Sequence, residues 1–219
     1  MLTKGAKEAL ALGQGGTYSL SRDALKHQIW DTRFFTAATI NDATFFTQSI
    51  GAPWRVGLKT KNETNLSDSG KLPNGQTFLA VRMGIALISA FPYTGLNAAD
   101  VAQSFINVVQ SSVFEIRIAG REFDFQIHGR QFLPSLAING DNGSVVASTH
   151  RVGDMIASGW VNLNPAPIFI DQLVSFNVAM LFNNPDTNVQ LTLQQGLSIL
   201  AGYYSTMQVT LEGFLTRAK

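Results

Sequence analysis

The sequence contains no cysteine, which excludes a disulfide framework, thiolate zinc sites and cysteine nucleophiles together. It is also short of charge. Asp, Glu, Lys and Arg make up 14% of 219 residues, against about a quarter in ordinary soluble domains. The net charge is +1 with no long run of one sign, whereas a broad nucleic-acid footprint needs clustered Lys and Arg. The polar balance falls on Asn, Gln, Ser, Thr and Gly. A surface poor in Lys and Glu has the composition of one covered by other subunits. No stretch approaches the ~20 apolar residues that span a bilayer, and residues 1–20 lack the continuous apolar core of a secretory signal. The expectation is a protein made and kept soluble in a cytoplasm.

Catalytic signatures are scarce as well. Gly13-Gln14-Gly15-Gly16 lacks the preceding strand and the third spaced glycine of a dinucleotide site, and reads as a hinge. There is no Gly-x-Ser-x-Gly elbow, no Walker sequence and no His-Glu-x-x-His pair. The three histidines, His27, His128 and His150, are not spaced to pair as metal ligands, so neither a metal nor another cofactor is expected. Glu115, Glu122 and Asp124 invite comparison with the paired acids of glycosidases. Their shared place on the outer face of one hairpin favours a solvated or subunit-contacting surface instead. Asn62-Glu63-Thr64, Asn65-Leu66-Ser67 and Asn142-Gly143-Ser144 fit the glycosylation pattern, as chance matches in an Asn-rich chain without a signal peptide. Trp54, Tyr93 and Trp160 could stack on sugars, though core or interface packing is the commoner use of such residues.

What the chain does contain is strand pattern. Its length suits one domain of sandwich or barrel type. Leu2 to Leu12 has helical spacing and ends at the Gly13 hinge. A second helical turn is expected from Ser21, with Leu25 and Ile29 on one side. Residues 1–30 are thus predicted to form an N-terminal arm and 31–219 the main domain. The arm carries Lys4, Lys7, Arg22 and Lys26 against Glu8 and Asp23; this bias could serve nucleic acid, a lipid headgroup or a neighbouring subunit, and the last demands least of it. From Trp30 onward, short runs rich in Phe, Thr, Val and Ile alternate with turn signals. Such runs hold Phe34-Phe35, Phe45-Phe46, Trp54-Arg55-Val56, Thr77 to Phe91, Trp160 to Leu163, Phe176 to Phe182, Val189 to Leu193 and Met207 to Leu211. A helix is predicted from Asn97 to about Gln110, with Val101, Phe105 and Val109 at four-residue steps. A loop is expected over 129–157, turning at Asn139 to Gly143.

Val113 to His128 reads as a hairpin about a two-residue turn at Ala119-Gly120. That turn would set Phe114 opposite Phe125, Ile116 opposite Phe123, Arg117 opposite Glu122 and Glu115 opposite Asp124. Two carboxylates facing each other destabilise a strand pair. Glu115, Arg117, Glu122 and Asp124 are therefore the candidate subunit contacts, with a basic group from elsewhere expected between the acids. The sum is an all-β chain of about eight antiparallel strands with one inserted helix.

Several elements in order carry a family resemblance: Leu72-Pro73-Asn74-Gly75-Gln76-Thr77-Phe78 entering a long apolar strand, a helix ending near Gln110, the Phe114-Glu115-Ile116-Arg117-Ile118 hairpin, the Pro165-Ala166-Pro167 step, and the closing Leu211-Glu212-Gly213-Phe214-Leu215. From Trp30 to Lys219 the sequence resembles the jelly-roll major capsid proteins of icosahedral tailless bacteriophages, including those with an internal membrane. The resemblance implies a single jelly-roll sandwich and a mechanical role in the virion. Its partners would be copies of itself, other capsid proteins and, in the membrane-containing members, that membrane. A spike, decoration or tail protein on the same fold and a carbohydrate-binding jelly-roll module are the alternatives.

Overall fold

Along 205–217, Met207, Val209, Leu211 and Leu215 are buried while Gln208, Thr210 and Phe214 are only partly so, the period of two that a strand with one covered face requires. The computed structural model describes residues 24–35, 43–54, 57–89, 109–120, 125–135, 137–138, 155–163, 166–181 and 205–217. In it this run is β10 (Ser205–Arg217), antiparallel to β1 (Ala24–Phe35) on one side and β3 (Gln76–Ser89) on the other. Beyond β3 come β7 (Met155–Asn162) and the short β6 (Ala137–Ile138). β8 (Ile168–Ile170) also pairs with β3, opposite Phe78 to Ala80. It resumes the β7 ladder after an interruption that includes Pro167, which has no N–H to give it.

The second sheet is smaller. It contains β2 (Ala43–Phe45), β4 (Val113–Ile118), β5 (Phe125–His128) and β9 (Phe176–Leu181), in the spatial order β2-β9-β4-β5. All its pairings are antiparallel. Phe45, Phe114, Ile116, Val178 and Met180 of this sheet share one apolar core with Ile29, Phe78, Met83, Val209 and Leu211 of the larger one. Among the described residues the protein is thus all-β, built of two antiparallel sheets joined through a common core. A 3-10 helix, Gly129–Ser135, follows β5 and sets Phe132 against the Phe114 ring.

The pairing is nested. β1 pairs with β10, β2 with β9, β3 with β7 and β4 with β5, so that the chain runs as one long antiparallel ribbon whose outermost strands meet first with last. A bulge interrupts the β3–β10 ladder: Arg82 stands opposite Glu212 and Ala80 opposite Gly213, leaving Val81 as the extra residue. The bulge keeps Ala80 and Met83, three positions apart, in the same core.

Three expectations need correction. The helical turn from Ser21 does not extend through Leu25 and Ile29, which lie in the 12-residue strand β1. The main body reaches back to Ala24. Four residues is one step of a helix face but also an even step along a strand, and twelve consecutive pairings with β10 decide the matter. The hairpin register is also different. Phe114 stands opposite Ile127, Glu115 opposite Gln126 and Ile116 opposite Phe125, a shift of two from the predicted pairing. A shift of two leaves every side chain on its face, so the hydrophobic pattern cannot choose between the registers. Trp54 belongs to no strand and lies next to the Pro53–Leu58 bridge. The arm over 1–23, the predicted helix before Val109, the turn at 139–143 and the run 189–193 lie outside the described residues; Val109 and Gln110 are helical.

Candidate interaction surfaces and a buried ion pair

Glu115 and Arg117 are two apart on β4 and share the face turned away from the core. Glu115 is nevertheless only 2% exposed. Its Oε2 accepts from Arg117 Nε at 3.0 Å and Nη2 at 2.6 Å, and its Oε1 accepts from Gln126 Nε2 at 2.8 Å. The register supplies the last bond by bringing Gln126, a donor, opposite Glu115. The expected opposition of Glu115 and Asp124 is thereby overturned, and the basic group at Glu115 comes from the same strand. Across the ladder from Arg117 stands Asn177, whose Oδ1 is buried without a hydrogen-bond partner. Arg117 keeps 30% of its side chain exposed. Glu122 and Asp124 lie outside the described residues.

The outer face of the large sheet carries a second polar group. Gln28, Glu212 and Arg82 stand in one cross-strand row. Gln28 Nε2 donates to Glu212 Oε2 at 2.8 Å, while Lys26 and Arg82 approach Oε1 at 3.2 and 3.4 Å. Burial alone would push the Glu212 carboxyl up, but these three partners outweigh it and hold the group below its ordinary value. In the adjoining row Gly84 lies opposite Trp160, and the Arg82 guanidinium sits 4.9 Å from the indole centroid. Of the two described tryptophans considered as sugar platforms, Trp160 therefore packs on its own sheet, and Trp54 meets Phe34 edge-on at 4.8 Å. Tyr93 lies outside the described residues. His27 and His128 lie in different sheets, and no group of three metal-ligating side chains occurs among the described residues.

β1 is an edge strand, and the loop after β2 covers its free side. Asn65 accepts from the Trp30 N–H at 2.9 Å and donates to the Gln28 carbonyl at 2.8 Å. Thr64 Oγ1 donates to the Trp30 carbonyl. These contacts satisfy the backbone groups that would otherwise template pairing with another chain.

The same loop brings in Lys59, the least expected residue of the structure. Asp31, opposite Val209 in β1, points inward. Lys59 Nζ donates to Asp31 Oδ1 at 2.5 Å and to the Thr32 carbonyl at 3.0 Å, and both side chains of the pair are 0% exposed. Asp31 Oδ2 accepts from the Phe46 N–H at 2.6 Å, which helps hold Phe46 at φ 65, an unusual conformation for a bulky residue. The Trp54 ring centroid is 4.8 Å from Nζ. Burial lowers the Lys59 pKa against the opposing pull of Asp31. The inward phase of His27, Ile29 and Asp31 would point to Asp31 once that run is read as a strand. Nothing in the polar loop singles out Lys59.

No protein-family model matches the chain, and no curated protein matches it.

Proposed function

We propose that this chain is a jelly-roll coat protein of a tailless icosahedral bacteriophage that self-assembles into a closed shell. The observation that carries the reading is the nested pairing of eight main strands, with β6 and β8 as short additions to the larger sheet. The resulting sheets, in the orders β1-β10-β3-β7 and β2-β9-β4-β5, are what a ribbon rolled into two interlocked Greek keys produces. Coat proteins, lectins and cupin-type enzymes all use that roll, so the fold alone does not choose among them. Composition favours the coat protein. Charge is scarce, and the described Glu115, Glu212 and Asp31 are engaged within the subunit, leaving a surface dominated by uncharged polar groups. Shells repeat a few modest contacts many times, so such a surface is sufficient.

In this reading the protein is made in the host cytoplasm and resides in the virion. It contacts copies of itself, other capsid proteins and, in a membrane-containing particle, the membrane beneath, and it performs no catalysis. The outer face of the smaller sheet around Arg117 is the proposed subunit contact, since Arg117 keeps 30% of its side chain exposed there. Size-exclusion chromatography with light scattering, followed by electron microscopy of the large species, tests the proposal. Closed particles of uniform diameter are expected. A protein that stays monomeric at high concentration and binds immobilised polysaccharide would instead be a sugar-binding module.

A further inference from the structure

We propose that Asp31 and Lys59 condense to an intramolecular amide that ties the 57–66 loop covalently to the edge strand β1. The geometry assigns both reacting atoms. Nζ is 2.5 Å from Oδ1; adding one carboxyl C–O bond of about 1.2 Å puts it no more than about 3.7 Å from Cγ, close to the separation of a near-attack pair. Both side chains are sealed from water at 0% exposure. Burial disfavours the charged form of Lys59, and the short Nζ–Oδ1 contact is the path by which its extra proton passes to Oδ1 as the step begins.

The hydrogen-bonding groups of the site match the product better than the reactants. An ammonium offers three donors and a carboxylate about four acceptor positions. Apart from each other, the two groups find, among the described residues, one acceptor, the Thr32 carbonyl, and one donor, the Phe46 N–H. A secondary amide requires one of each. The Phe46 N–H also faces Oδ2, the oxygen that gains negative charge when nitrogen adds to Cγ, and so acts as an oxyanion donor.

The step balances without an added reagent. The amine lone pair attacks Cγ and forms the C–N bond, and Oδ1 leaves with its own proton and one from nitrogen as water. Oδ2 remains as the amide oxygen on the Phe46 N–H, and the remaining nitrogen proton stays on the Thr32 carbonyl. No oxidation occurs.

Peptide mapping and intact mass of the denatured full-length protein decide the matter. The expected result is a mass about 18 Da below that of the sequence, the mass of one water, and a branched proteolytic peptide whose fragments join residue 31 to residue 59. Lys59→Arg retains the charge but cannot form this bond, and should restore the full mass. The proposal is overturned if the wild-type protein, aged for days between about pH 5 and 9, gives the full mass with separate peptides for residues 31 and 59. It is equally overturned if Lys59→Arg keeps the deficit, which would place the loss of water elsewhere. Neither readout depends on whether the protein builds shells.

Discussion

Gly213 and Leu79 approach so closely that a β-carbon on the glycine would lie 1.8 Å from the leucine's carbonyl oxygen. The contact sits at the bulge between β3 and β10, where Val81 is the extra residue. The obstacle is backbone and cannot rotate away. Gly213→Ala should therefore cost about 2–4 kcal/mol, at the upper end of overpacking changes. Gly120, at φ +71, has no atom within 4 Å of where an alanine methyl would sit. The same change there should cost only about 1 kcal/mol, from conformation alone. Urea midpoints of the two variants check the difference, and equal losses would remove the steric argument.

Glu115 is covered and Arg117 is not, so the two ends of their ion pair should respond unequally to mutation. Arg117→Met leaves a carboxylate at 2% exposure with Gln126 as its remaining side-chain partner and should cost about 1–3 kcal/mol, reduced by solvent around the half-open guanidinium. Glu115→Gln leaves a guanidinium that water can reach and should cost less than about 1 kcal/mol. Chemical denaturation of both variants tests this order. A reversed order would mean that Glu115 is open to solvent.

The long strands are legible in the sequence because their alternation is unambiguous: Met207, Val209 and Leu211 admit one face, as do Phe176, Val178 and Met180. What is not legible is whatever alternation leaves undetermined. Leu25 and Ile29 satisfy helix and strand periods alike. The β4–β5 hairpin keeps its faces under a shift of two, and only the distant pairing of Ile118 with Phe176 and the bond from the Ala119 N–H to the Ser175 carbonyl reveal how β4 is held at its turn. Of the candidate contact residues, Glu115 and Arg117 do share one face of β4, but the burial of Glu115 depends on Gln126 standing opposite, which the pattern does not specify. The Asp31–Lys59 pair joins a strand to a loop 28 residues away, and no local pattern encodes such a contact.

Acid should weaken the fold in two separate windows. Burial, reinforced by Arg217, lowers the His27 pKa below 6.5. The unfolded chain then binds the extra proton first, and stability falls as pH drops from about 6.5 toward the folded value. Glu212 is held below its ordinary 4.5; the stability it contributes is present above the unfolded pKa and is lost as pH falls through the folded one. His27→Gln should flatten the upper window and leave the lower, whereas Glu212→Gln should do the reverse. Thermal midpoints measured from about pH 8 to 3 would show it, and parallel curves for both variants and the parent would rule out these two groups as the source.

The Asn65 side chain holds the free edge of β1 through two bonds, from the Trp30 N–H and to the Gln28 carbonyl, beside the bond from its own backbone N–H to the Trp30 carbonyl. Asn65→Ala removes both while leaving Thr64 on the Trp30 carbonyl and Lys59 on that of Thr32. The expected loss of monomer stability is about 1–2 kcal/mol. The larger effect should appear in solution behaviour. An uncovered edge presents unpaired backbone groups to any other strand, and the flanking Leu25 and Leu58 are already 53% and 61% exposed. The variant should therefore form irregular, concentration-dependent aggregates at temperatures where the parent does not, visible by light scattering and by a rise in intermolecular β-sheet signal in the infrared. Asn65→Asp separates the two bonds: it can still accept from Trp30 but cannot donate to Gln28, and should fall between the parent and the alanine variant. Equal scattering from all three proteins would show that the loop guards this edge by bulk alone and not through the Asn65 amide.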